Sequence, residues 1–317
     1  MEIVTKIAPI ILALIMLGLG LGLKVEDFTR VFKNPKDFIV GFISQLIILP
    51  IVAYLLIIIL RTPPEIAIGV MIIAAAPGGV TTNILTKFAD GDVALSISLT
   101  AVISLISIIT VPFIIFTSAD LFGITNISTN ISMIGIALKM VLVVTIPVIL
   151  GMVIRKFADN FITPKVEIFN KLNIIFFIIF FIAAFYEERE NIISFIVQAG
   201  LITLILNITM MIIAYYLAKN FASGIKQRKC IALECGLQNG TLAIFVSTQI
   251  FGSDIIYAIP TGAYALIMYI TGFIFVYILR NSNEIFRFQT QYERLLFIEN
   301  LFWLINKLRI IKKTGLM

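Results

Sequence analysis

No histidine occurs anywhere in the 317 residues, so imidazole catalysis and metal binding through imidazole are both excluded. Charge is nearly as scarce. Asp, Glu, Lys and Arg together make 13% of the chain, too little polar surface to cover a soluble globule of this size. The two cysteines, Cys230 and Cys235, lie five residues apart in one apolar segment, a spacing that offers neither a disulfide framework nor a metal-binding pair. No nucleophile and base pair up within any apolar segment, which argues against an enzyme. The first apolar stretch, Ile7 to Leu23, has no small-x-small cleavage site after it and reads as a retained helix rather than a signal peptide.

What the chain has in abundance is apolar length. With 60% hydrophobic residues and a mean hydropathy of +1.07, it reads as an all-α polytopic membrane protein. Windows of about 20 apolar residues fall at 7–23, 38–60, 66–89, 92–117, 132–154, 169–186, 192–218, 229–250 and 255–279, which makes about nine transmembrane helices. The net charge of +6 and pI of about 9.3 are a topology signal, not a nucleic-acid patch, because the cations sit between spans and on the tail. Lys6, Arg61, Lys139 and Arg189 fall on one side of the nine-span arrangement, leaving 20 of the 24 Lys and Arg residues on the other. The positive-inside rule then puts the N-terminus outside and the C-terminus in the cytoplasm, with the plasma (inner) membrane as the expected location. Lys139, about two turns into the fifth span, is expected to snorkel to the outer interface. Asn126-Ile-Ser128 and Asn130-Ile-Ser132 match the glycosylation pattern in an outside loop, but so does Asn239-Gly-Thr241 deep in the membrane, so the pattern carries little here.

Two spans contain their own interruptions. In the third, Ala76-Pro77-Gly78-Gly79-Val80-Thr81-Thr82-Asn83 removes a backbone donor and then supplies two glycines, which predicts a helix broken at mid-depth. In the eighth, Glu234-Cys235-Gly236-Leu237-Gln238-Asn239 sets a carboxylate and two amides in an otherwise apolar run. A mid-bilayer acid costs about 2.5–3.5 kcal/mol on translocon scales, so Glu234 calls for a partner. The carbonyl and amide oxygens beside it are the hard ligands that small cations prefer. The competing role is structural, with Glu234 hydrogen-bonded to a neighbouring helix. Paired interruptions at corresponding places in two halves point to the binding site of an inverted-repeat transporter, and these two correspond if the first half has lost its opening helix. A short helix starting near Thr81 would turn free N–H groups toward an anion, while unwound carbonyls face cations. Ser96 and Thr100 share a helix face and could add hydroxyl oxygens next to Asn83, although helix packing also uses such residues. Gln45 in the second span is a lone amide with the same two roles open. Gly18-x-x-x-Gly22 reads as a close-packing motif. Beyond Arg280, apolar and aromatic residues alternate with Arg287, Arg294, Lys307, Arg309, Lys312 and Lys313. The segment 281–317 is expected to be a basic amphipathic helix on the cytoplasmic leaflet, with Trp303 at headgroup level.

Residues 76–83, Gly91 to Ser96 with Thr100, and Glu234 to Asn239 together resemble the bile acid:sodium symporter family, and Gly18 to Phe28 with Lys33 to Pro35 resembles its first cytoplasmic turn. The resemblance spans about residues 8–280. It implies inverted repeats with two broken helices crossing in a core domain (about 66–117 and 192–279), beside a panel domain (about 7–60 and 132–186). It further implies two sodium ions as coupling ions. Thr82, Asn83, Ser96, Thr100 and Glu234 would form the first site, and Gln45, Glu234, Gln238 and the carbonyls of Cys235 and Leu237 the second. Asn239 and the backbone at Val80 and Thr81 would face the substrate. Bacterial members commonly have ten spans where this chain has nine, and Met268-Tyr269 stands where some relatives carry a cavity histidine, which makes Met268 a further substrate-site candidate. Some members resemble carriers of pyruvate or pantoate, so a small organic anion is the expected substrate, taken up with sodium. A sodium/proton antiporter on the same architecture is the alternative, and it would need an intramembrane acid pair where only Glu234 is available.

Overall fold

The computed structural model describes residues 2–33, 35–124, 132–186, 192–252 and 254–280. The amphipathic helix expected at 281–317 and the sequons at Asn126 and Asn130 lie outside them. Every regular element among the described residues is helical. Seven helices are long and apolar enough to cross a membrane, and nine if each of two bent pairs counts as one span. Large apolar side chains such as Ile51, Leu55, Ile109, Phe113, Leu142, Ile149, Ile182 and Leu201 are exposed, as a chain solvated by lipid requires.

Helix α1 spans Glu2–Gly22 and α2 Val25–Lys33, the two meeting at a 65° bend. Helix α3 runs Pro35–Ile59 and contains a π-turn at Ser44–Ile48, just ahead of Pro50. Helices α4 (Pro64–Ala75) and α5 (Val80–Phe88) form the second bent pair, also at 65°. Helix α6 (Val93–Phe122) starts at a cap in which the Asp92 carboxylate accepts from Leu95 N, and it closes on Gly123 at φ 69°. Helix α7 (Met133–Phe157), α8 (Val166–Tyr186) and α9 (Ile192–Phe221) follow. The eighth span consists of α10 (Ile225–Gly236) and α11 (Gly240–Phe251), and α12 is the span Ile255–Arg280. Residues 1–273 form one compact unit and 274–317 another, of which 274–280 are described and helical.

Both predicted interruptions are present. Helix α4 stops at Ala75, Ala76 turns to an extended ψ of 145°, and the chain re-enters a helix at Val80. Leu237, Gln238 and Asn239 separate α10 from α11. The two breaks meet directly, because Asn239 N donates to Pro77 O at 2.8 Å. Helix α10 packs on α5 and α11 packs on α4, so the two broken helices cross at their breaks.

Helix α1 packs on α7 and α8. The close approach uses Gly20 and Gly151, where an added Cβ would overlap the Val148 and Leu17 carbonyls respectively. Gly18 abuts Asn173, whereas Gly22 has only the Val166 side chain at 4.0 Å. The packing role expected for Gly18-x-x-x-Gly22 therefore falls on Gly18 and Gly20. Residues 38–60 were expected beside 7–23 and 132–186, and the packing corrects this. Helix α3 lies against α4, α6, α9 and α10. Gly41 permits it, since a Cβ there would come within 2.6 Å of Leu99 and 3.4 Å of Ile231. Lys139 Nζ donates to Gln249 Oε1 at 2.8 Å on an exposed surface.

Candidate functional site

Glu234 ends up fully buried at the crossing. Its carboxylate faces α6: the Ser96 hydroxyl donates to Oε1, and Thr100 Oγ1 lies 3.2 Å from both carboxylate oxygens. Ser96 Oγ is also 2.7 Å from Asn83 Oδ1. With the carboxyl ionised, the protons do not suffice for these oxygens. Ser96 and Thr100 each have one hydroxyl proton to give, while Asn83 Oδ1 and the two carboxylate oxygens all accept. A surplus of converging oxygens in a dry site is what a bound cation would resolve. Gly78 makes the cluster possible from the other broken helix, because a Cβ there would sit 2.5 Å from Glu234 Oε2. Thr82, expected in this group, is buried nearby, but its hydroxyl accepts from Gly79 N at 3.2 Å and caps α5.

A second oxygen cluster lies where α10 ends. The π-turn in α3 holds Gln45, whose Nε2 donates to the Glu234 carbonyl at 3.0 Å and to Gln238 Oε1 at 3.3 Å. Gln238 Nε2 reaches the carbonyls of Cys235 at 3.0 Å and Glu234 at 3.4 Å. Gln45 Oε1 is buried without a donor, an acceptor that a cation could satisfy. Leu237 is fully buried beside them. Among the described residues the buried acids are Asp37 and Glu234, and Asp37 accepts from Ser223 N, so Glu234 alone supplies negative charge at the crossing and monovalent cations are the fitting ligands.

On the other face of the crossing, a narrow cavity of about 40 Å³ is lined by both breaks together with α1, α8 and Tyr269. Val80, Thr81 and Asn239, the candidates for the substrate side, all line it. By helix geometry the first N–H groups of α5 and α11 have no intrahelical acceptor, and both helices start at this cavity, so it suits an anion. Asn239 Oδ1 is already engaged, accepting from Leu242 N at 3.0 Å as the cap of α11. Met268, expected here, is buried at 1% exposure and does not line the cavity. Its neighbour Tyr269 does, on the same lining as Thr81.

Three supporting residues escaped the sequence reading. Asn207 Nδ2 and Tyr264 OH both donate to the Gly236 carbonyl freed by the break, at 2.6 and 2.9 Å. Thr271 in turn donates to Asn207 Oδ1 at 2.5 Å. An amide at the middle of the apolar seventh span was the available signal for Asn207.

Known proteins resemble this chain over most of its length. The family model described as the sodium bile acid symporter family matches residues 9–195, more than half of the chain. The chain belongs to that family. It is thus a membrane transporter and not an enzyme. A relative described as an uncharacterized sodium-dependent transporter, from Bacillus subtilis, is 28% identical over 83% of this chain and 79% of its own length. The probable sodium/metabolite cotransporter BASS1 of Arabidopsis thaliana, chloroplastic, is 25% identical over 86% of this chain and 66% of its own. The human ileal sodium/bile acid cotransporter is 33% identical over 33% of this chain and 30% of its own length. The Bacillus relative, described as sodium-dependent, and the Arabidopsis relative, described as a sodium/metabolite cotransporter, each span more than four fifths of this chain.

Proposed function

We propose that this protein takes up a small organic anion together with two sodium ions by alternating access. The observation that carries this reading is the meeting of the two breaks. Helix-end donors open on one side of the crossing and surplus oxygens gather on the other, joined by the Asn239 to Pro77 bond. An anion at the first helical N–H groups and cations at the oxygens then stabilise the same arrangement of the same two breaks, which gives coupling. The first sodium would use Asn83, Ser96, Thr100 and the Glu234 carboxylate, with Thr82 turning from its cap to join. The second would use Gln45, Gln238 and the carbonyls at Cys235 and Leu237. Helices α1, α7 and α8 would form the panel, and α3 to α6 with α9 to α12 the core that moves against it. The exchange of sodium for protons is disfavoured because, of the buried acids among the described residues, only Glu234 lies at the crossing, Asp37 being bonded to Ser223 N. The N-terminus lies outside and the C-terminus in the cytoplasm, in the plasma membrane.

A thermal-shift screen of short carboxylates, run with sodium or potassium as the only cation, tests this. Stabilisation by an anion in sodium but not in potassium is expected. Equal stabilisation in both salts would contradict sodium coupling.

A further inference from the structure

The geometry points to a binding site for one anionic phospholipid at the bend between α1 and α2. A cavity of about 450 Å³ opens there against the end of α7. Its apolar wall includes Val25, Ile149 and Val153, all exposed. On α7 the exposed residues Ile146, Ile149, Val153 and Lys156 follow at intervals of three, four and three, a single stripe that ends on a cation. An acyl chain laid along that stripe brings its phosphate to Lys156, and Lys24 lines the same cavity from the bend. The Lys156 ammonium has no partner among the described residues. Lys24 Nζ stands 3.8 Å from Asp159, a half-exposed pair that holds it weakly. Arg155 serves the frame instead: it donates to the Leu21 and Gly22 carbonyls, which braces α1 on α7, and its Nε lies 3.5 Å from Asp159. With Glu26 and Asp159 included, the lining carries three cations against two acids, so positive charge is in surplus. Helix α2 buries none of its residues and exposes Val25 and Phe32, while Phe157 and Phe161 are exposed just past the stripe. Exposed aromatic and apolar side chains at the ends of spans mark headgroup depth. A soluble anion has no use for the apolar wall, and the cationic end of a zwitterionic headgroup meets the surplus charge. An anionic phospholipid fits both halves. Because α1 packs on α7 and α8 while α2 packs on α6, an occupant of the bend braces the joint between them.

The test adds dioleoylphosphatidylglycerol, dioleoylphosphatidylcholine or glycerol phosphate to purified full-length protein in neutral detergent. Native mass spectrometry reads the bound lipid and thermal shift reads stability. Wild type is expected to hold phosphatidylglycerol about tenfold or more tighter than phosphatidylcholine, to melt higher with it, and to ignore glycerol phosphate. A lysine near an anionic headgroup contributes about fivefold. Lys24→Gln with Lys156→Gln should therefore weaken phosphatidylglycerol about tenfold or more and leave phosphatidylcholine as it was. Lys36→Gln with Lys87→Gln removes the same charge outside the cavity and should bind like wild type. Should the first pair fail to fold, Lys156→Gln alone, at an exposed side chain that holds nothing else, is read by the same comparison. Equal retention of the two lipids by wild type would overturn the proposal, as would a preference that survives loss of the cavity lysines or falls as far with Lys36 and Lys87. Stabilisation by glycerol phosphate as large as by the lipid would also overturn it, by making the occupant a soluble anion.

Discussion

Asn239 holds three places at once: its N–H ties the two breaks together, its Oδ1 caps α11, and its side chain lines the anion cavity. Removing it with Ala therefore mixes two effects, and loss of the cap alone costs about 0.5–2 kcal/mol. Ser separates them, because its hydroxyl can cap but cannot replace the amide donor. Asn239→Ser should melt within a few degrees of wild type, bind the anion about tenfold more weakly, and keep its sodium midpoint, as measured by calorimetry at several sodium concentrations. A sodium midpoint that moves with the anion loss would argue against a separate anion role. Gly78 gives the reciprocal case. The methyl of Gly78→Ala would intrude on Glu234 Oε2, and overpacking of this kind costs about 1–3 kcal/mol. The substitution should weaken sodium stabilisation first, with anion binding following only through coupling. Unchanged sodium stabilisation in Gly78→Ala would show that the carboxylate does not need that space.

At the scale of elements, the exposed end of α10 is sealed by side chains from two other helices. Gly236 O accepts from both Asn207 and Tyr264, so either donor can be lost without orphaning the carbonyl. Tyr264→Phe should cost about 1 kcal/mol. Asn207→Leu should cost more, about 1–3 kcal/mol, because it also breaks the bond from Thr271, whose hydroxyl falls back on the Ile267 and Met268 carbonyls, and buries an unmatched shape. Urea denaturation in detergent checks the order, and a larger loss for Tyr264→Phe would contradict it. The breaks themselves were legible in the sequence, since Pro77-Gly78-Gly79 and the polar run from Glu234 to Asn239 violate helix chemistry locally. The gathering of Asn83, Ser96 and Thr100 around Glu234 was expected as well, by helical spacing and by resemblance. What local chemistry cannot reveal is which way a residue faces after packing. Asn173, Asn207 and Tyr264 are polar groups on largely apolar helices, and their partners come from elements 28 or more residues away or from no residue at all. Residues 38–60 were grouped with the wrong neighbours for the same reason: Gly41 and Gln45 decide their packing through contacts with α6 and α10 that only the fold supplies.

For the whole molecule, the charge distribution sets orientation and the crossing sets coupling. A reporter fused after Met317 should be active only on the cytoplasmic side, and activity only outside would overturn the positive-inside assignment. Coupling is the central claim, and Glu234 carries it, because it is the sole full negative charge among the oxygens at the crossing. Glu234→Gln keeps shape and hydrogen-bonding capacity while removing the charge that offsets cation dehydration. Losing one partner of a buried charge pair costs about 3–5 kcal/mol, or roughly two to four decades in affinity. If Glu234 only bridged helices, Gln would be nearly silent. The most direct measurement is the sodium concentration at half-maximal anion binding in purified wild type and Glu234→Gln. A well-folded mutant whose midpoint rises by about two decades or more is the predicted result, and a well-folded mutant with an unchanged midpoint would contradict the account.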